Sequence, residues 1–106
     1  MSAIHVIRKN DPTLPPIELI DRDSGLHRSG YWVVSEETAR SLVGGKIYFH
    51  REQSKPSFFG GTITAAEKIE EGAYAGRILF TFRFEEACRG VRTERIGWAQ
   101  EMKLSV

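Results

Sequence analysis

The stretch Arg77-Ile78-Leu79-Phe80-Thr81-Phe82-Arg83-Phe84 places Ile78, Phe80, Phe82 and Phe84 at every second position, with Leu79, Thr81 and Arg83 between them. Successive side chains of a strand point to opposite faces, so one face of this segment is apolar and aromatic. It reads as a central strand, and its neighbours in sequence repeat the period. Upstream, residues 46–50 set Ile47 and Phe49 against Lys46, Tyr48 and His50. Another strand is expected from Phe58 to about Ile69, with Gly60-Gly61 marking a bulge or a sharp bend where a sheet curls. Residues 65–71 also have helix propensity, which competes with that assignment. Downstream, Ile96, Trp98, Met102, Leu104 and Val106 share one parity, with Gln100 the polar exception.

The first third of the chain is less regular. Residues 4–8 suit a short strand, and Asn10-Asp11-Pro12 favours a turn. Pro12, Pro15 and Pro16 lack amide donors, and Asp21, Arg22, Asp23 and Ser24-Gly25 are turn formers. Residues 10–29 therefore read as a long surface loop with at most one short strand near 17–20. Loops of that length in a compact domain are often functional. Tyr31-Trp32-Val33-Val34 returns to strand propensity, and Ser35 offers a side-chain oxygen to cap a helix. Glu36 and Glu37 lie at its positive dipole end, Ala39, Leu42 and Val43 share one face, and Gly44-Gly45 closes it. Five or six strands with one or two short helices make a mainly β domain of the α+β kind. A small curled-sheet pseudo-barrel with a helical insertion is the expected architecture.

Composition bounds what such a domain does. At 106 residues the chain supports one core and one domain, burying roughly 65% of its unfolded surface without a metal or disulfide staple. Its formal net charge of +1 provides no strong overall field, so affinity for nucleic acid has to come from a local patch. The lone cysteine, Cys88, has no intramolecular partner, and the residues before Arg8-Lys9 are too few for a signal-peptide core. The cytoplasm is the expected compartment, and no apolar run reaches the roughly 20 residues that cross a bilayer.

No recognised catalytic or metal-binding signature is present, and the chain reads as more plausibly a binding domain than an enzyme. Arg89, Arg92 and Arg95 follow Cys88, but a C-x5-R loop needs its arginine at Glu94, so Cys88 reads as a small buried hydrophobe. His5, His27 and His50 lack zinc-site spacing, and neither a metal nor a cofactor is expected. No G-x-S-x-G elbow presents a serine. Gly44-Gly45-Lys46 is followed by Ile47 where a phosphate loop needs Ser or Thr, and it reads as a helix end.

A different constellation points to base recognition: Tyr31 and Trp32 before the helix, Tyr48-Phe49-His50-Arg51 at a strand end, Lys55 with Phe58-Phe59, and Trp98. Bases stack on aromatic faces while Arg and Lys meet phosphates. Between Lys46 and Phe58 three cations face one carboxylate, Glu52. The same aromatics also fit the alternation of a core. Arg83, Arg89, Arg92 and Arg95 form a second basic group, offset by Glu85, Glu86 and Glu94 and expected to form surface ion pairs.

The run from Ala39 through Gly44-Gly45-Lys46-Ile47-Tyr48-Phe49-His50, the polar loop with Pro56, and Phe59-Gly60-Gly61-Thr62-Ile63-Thr64 resemble the PUA-like superfamily, closest to its EVE and ASCH branches. Tyr31-Trp32 before the helix is similar to the entry of such domains. The G-x-K-x-x-E motif of the ASCH branch is missing. The resemblance spans residues 30–69 and implies a PUA-like pseudo-barrel whose cleft reads RNA or a modified DNA base. Carried over by position, the cleft residues are Tyr31, Trp32, His50, Arg51, Lys55 and Phe58. Two other readings stand beside it. One is a protein-interaction module, a homodimer included, using a sheet edge or the proline-rich loop. The other is a small-molecule binder or unrecognised enzyme whose cleft holds Cys88 or His50.

Overall fold

The computed structural model describes residues 2–8, 17–94, 97–98 and 102–105. In chain order these form β1 (Ala3–Ile7), β2 (Glu18–Asp21), β3 (Leu26–Trp32), α1 (Glu36–Ser41), β4 (Lys46–His50), β5 (Ser57–Lys68), β6 (Ile78–Phe84), a 3-10 turn at Glu86–Cys88, and β7 (Met102–Ser105). The seven strands make one mixed sheet in the order β2-β3-β6-β5-β4-β1-β7. Only β1 and β4 run parallel. The mainly β class holds, with one short helix.

The sheet curls but does not close, because β2 and β7 stand at its two edges without pairing to each other. Curling shows in ring contacts that skip a strand. Strands two apart lie about 10 Å from each other in a flat sheet. Yet the Phe49 and Phe82 centroids, across β5, are 5.3 Å apart, and those of His27 and Phe59, across β6, are 5.0 Å apart. The glycine pair of β5 permits the close approach this needs. A Cβ on Gly60 would lie 2.2 Å from the Ile47 carbonyl oxygen, and one on Gly61 would lie 1.9 Å from that of Arg83.

β6 lies inside the sheet between β3 and β5, as its aromatic alternation implies. Ile78, Phe80 and Phe82 join Ile4, Val6, Ile47, Phe49 and Ile63 in the core, which α1 covers with Ala39 and Leu42. Ser35 caps that helix, its Oγ accepting from the Thr38 amide at 3.1 Å.

The long loop expected at 10–29 is corrected over its second half, which is the β2–β3 hairpin. The short strand expected near 17–20 is β2, a fully exposed edge strand, and the loop reading fails over residues 26–29, which belong to β3. β3 hides its period behind a register shift between Ser29 and Trp32. The turn formers lie in the hairpin turn, where Ser24 Oγ donates to Asp21 Oδ2 at 2.6 Å and Gly25 takes a φ of +74°. Pro12, Pro15 and Pro16 lie outside the described residues, as do Ile96, Gln100 and Val106 of the expected last strand. Of that stretch, Met102 and Leu104 lie in β7, while Trp98 belongs to no strand.

Candidate nucleic-acid interface

β1 and β4 carry two chemistries on alternate residues. Ile4, Val6, Ile47 and Phe49 face the core. The parallel register aligns His5 with Tyr48 and Ile7 with His50, so His5, Tyr48 and His50 share the opposite face. The His5 and Tyr48 rings stack at 4.7 Å, and Trp98 meets His5 and His50 edge-on at 6.2 and 5.6 Å. His5 Nδ1 lies 2.9 Å from His50 Nε2, and His50 Nδ1 lies 2.8 Å from the Lys55 carbonyl oxygen. A carbonyl oxygen only accepts, so His50 Nδ1 carries the proton. In neutral His50 the Nε2 lone pair is then free to accept from His5 Nδ1–H. Burial, reinforced by His50 and Lys103, pushes His5 down to about 4. Burial lowers His50 too, against the opposing effect of its bond to Lys55. Both rings are therefore neutral at pH 7, and the proton order runs from His5 through His50 to the 51–56 loop.

At the end of this face the β4–β5 ladder shifts register between Phe49, paired with Phe59, and His50, paired with Ser57. Phe58 is the extra residue on β5, and such bulges re-aim a side chain. The Arg51 guanidinium carbon lies 3.9 Å from the Phe58 ring centroid, and Arg51 Nη1 donates to the Arg8 carbonyl at 3.1 Å. Lys55 lies 3.5 Å from Glu52 with both side chains largely exposed, a spacing that contributes little energy. The chain after the 3-10 turn returns to the same place, since Ser57 Oγ accepts from the Val91 amide and the Ser57 amide donates to the Val91 carbonyl. That brings Arg89, which pairs with Glu86 and lies 5.8 Å from the Phe59 ring, and then Arg92. The segments that meet here carry Arg8, Arg51, Lys55, Arg89 and Arg92 together with Glu52 and Glu86, and Lys103 and Glu94 add one charge of each sign.

No family model matches this chain, and no curated protein or solved structure is significantly similar to it.

Of the six residues expected in a cleft, Arg51, Lys55 and Phe58 come together. His50 adjoins them but is fully buried, so it holds the loop from behind and presents no face to a ligand. Tyr31 and Trp32 do not join them. Trp32 pairs with Ile78, and Ile78 with Lys68 at the far end of β5, whereas His50 pairs with Ser57 at its near end. Trp32 packs on the core and donates from Nε1 to Ser29 Oγ at 3.2 Å, and Tyr31 stacks on Tyr74 at 4.3 Å. Sequence reasoning missed His5 and Arg8 as parts of the near end, and it set Arg89 in a separate basic group. The signal for His5 was parity, since it breaks an otherwise apolar β-branched strand at the position a parallel partner would set beside Tyr48.

Cys88 is buried, as its sequence context implies, and burial with nearby Glu85 pushes its thiol up, which removes the activation a nucleophile needs. Glu85 is committed elsewhere. It accepts from Lys46 Nζ at 2.7 Å and from Thr62 Oγ1, and these bonds hold its carboxyl below the usual range. The arginine–glutamate pairing expected around residues 83–95 is thus seen in Arg89–Glu86 but not at Glu85. Among the described residues no three His, Cys, Asp or Glu are grouped to hold a metal, and no helix is long and apolar enough to cross a membrane.

Proposed function

We propose that this chain binds nucleic acid through the end of the sheet where the 51–56 loop, the bulged start of β5 and the 89–92 segment meet. The observation that carries this reading is the exposed Arg51 placed over the Phe58 ring, its guanidinium carbon 3.9 Å from the centroid, with further cations on the adjoining segments. A guanidinium plate backed by a ring stacks an unpaired base on its outer face, while Lys55, Arg89 and Arg92 meet phosphates. The ligand is single-stranded RNA or a DNA segment with an extruded base, and the resemblance to PUA-like domains supports a modified base. The reaction class is binding, with no catalytic group assigned.

Fluorescence anisotropy with short labelled RNA and DNA, methylated bases included, tests it. Arg51→Ala and Lys55→Ala are each expected to weaken binding by about tenfold and to flatten its salt dependence by about one ion apiece. Unchanged affinity and slope in both variants would refute the assignment.

A second reading, a protein-interaction surface, draws on β2, an edge strand exposing Leu19 and Ile20. A symmetric antiparallel pairing of two copies centred on that strand would set Glu18 against Asp21, like charge against like, which disfavours a homodimer there. Sedimentation is expected to give a monomer, and a stable dimer that buries Leu19 would favour this second reading.

A further inference from the structure

We propose that His5 and His50 form a one-proton positioning relay that holds the 51–56 loop in its binding shape, so that acid releases the loop and its ligand together. The proposal rests on the reading of that loop as the binding surface, and it adds a regulator to it. Two imidazole nitrogens 2.9 Å apart share one proton between them. The Nδ1 proton of His50 is fixed by the Lys55 carbonyl at 2.8 Å, so a first added proton at Nε2 is accommodated only if His5 moves its own proton to Nε2, and protonation of both rings sets N–H against N–H.

Tyr48 from β4 stacks on His5, and Trp98 presents its edge to both rings. Lys103 of β7 pairs in register with His5 and brings a like charge. On the loop side Arg51 and Arg8 are joined through the Arg8 carbonyl, and the Arg8 amide donates to the His50 carbonyl. Among the described residues no carboxylate is hydrogen-bonded or ion-paired to either ring. Relief comes from turning the His50 ring, at the last residue of β4, away from His5, and its Nδ1–H bond carries the Lys55 carbonyl and the exposed loop with it. β1 and β4 are held from both sides by the sheet.

The relay reverses the ordinary sign of a pH effect. Acid makes a protein more positive, and simple attraction to phosphates then strengthens binding. Release of the loop weakens it.

The test uses the intact chain, with short single-stranded RNA and DNA as probes. Nitrogen-15 spectra of the two imidazoles at pH 7.5 are expected to show both rings neutral and protonated at Nδ1. Between pH 6.5 and 4, amide protection factors in 51–56 are expected to collapse while those of β6 persist, and affinity is expected to fall at least tenfold. The variant His50→Asn, whose amide nitrogen replaces Nδ1 at the Lys55 carbonyl without a titrating ring, is expected to flatten the pH profile of loop protection. Rings that titrate with loop protection unchanged, or a His50 protonated at Nε2 and bare at Nδ1, would overturn the relay. Loop release without nucleic-acid binding at any pH would keep the relay and remove the binding reading. Binding at pH 7.5 that strengthens in acid would do the reverse.

Discussion

The two ends of β5 both gather aromatic and cationic side chains, and they differ in what surrounds them. At the near end, Arg51 covers Phe58 and, among the described residues, six cations stand with three carboxylates. At the far end, Tyr31 and Tyr74 lie parallel at 4.3 Å, with Arg77 5.8 Å from the Tyr74 ring. There Arg28 is paired with Glu18, and Glu67, Glu70 and Glu71 follow along the strand and its turn. The tyrosines stack on each other among charges of both signs, whereas the near end sets an exposed arginine over Phe58 with an excess of cations. The lesson is that a base-stacking surface is identified by its unpaired faces and local charge, not by the presence of rings.

The largest effect that separates the two ends is acid. His5 has a folded pKa of about 4 against an ordinary 6.5, so the unfolded chain binds its proton more readily. Stability is full above pH 6.5 and is lost as pH falls through that value toward 4, by about 2 to 3 kcal/mol. Urea unfolding across that range is expected to show the loss, with loop protection failing first at the near end and the tyrosine stack intact. A flat stability profile would place the histidines in a different protonation state.

Next in size, Phe58→Ala removes the ring behind Arg51 and is expected to cost about tenfold in oligonucleotide affinity, measured by anisotropy. Tyr74→Ala sharpens the contrast. It is expected to lower stability by roughly 0.5 to 1.5 kcal/mol through the lost stack while changing oligonucleotide affinity less than about twofold. If Tyr74→Ala weakens binding more than Phe58→Ala, the assignment of ends is reversed. The smallest effect expected is that of Lys103→Met, which removes a like charge near His5 and raises the midpoint of its titration by less than about one pH unit in imidazole NMR.

Much of the sheet was legible because period-2 alternation survives wherever one face is apolar. β4, β5 and β6 carry it, and Ser35 with Gly44-Gly45 bracketed the helix on capping chemistry. The start of β3 was hidden by its register shift, and the parallel partnership of β1 with β4 has no local signature. That pairing is also why the site was only half legible. Arg51, Lys55 and Phe58 are close in sequence, so their meeting followed from one hairpin. His5 reaches His50 from 45 residues away, and Arg8 and Arg89 arrive on separate segments. Tyr31 and Trp32 were joined to the group by chemistry alone, and the length of β5 keeps them apart from it.

The most direct test of the near-end assignment is amide chemical-shift mapping at pH 7.5 with a short single-stranded oligonucleotide. Saturable shifts are expected at Arg8, Arg51, Lys55, Phe58 and Arg89, with Tyr31, Tyr74 and Arg77 unmoved. Shifts confined to the Tyr31–Tyr74 end, or none at either end, would contradict it.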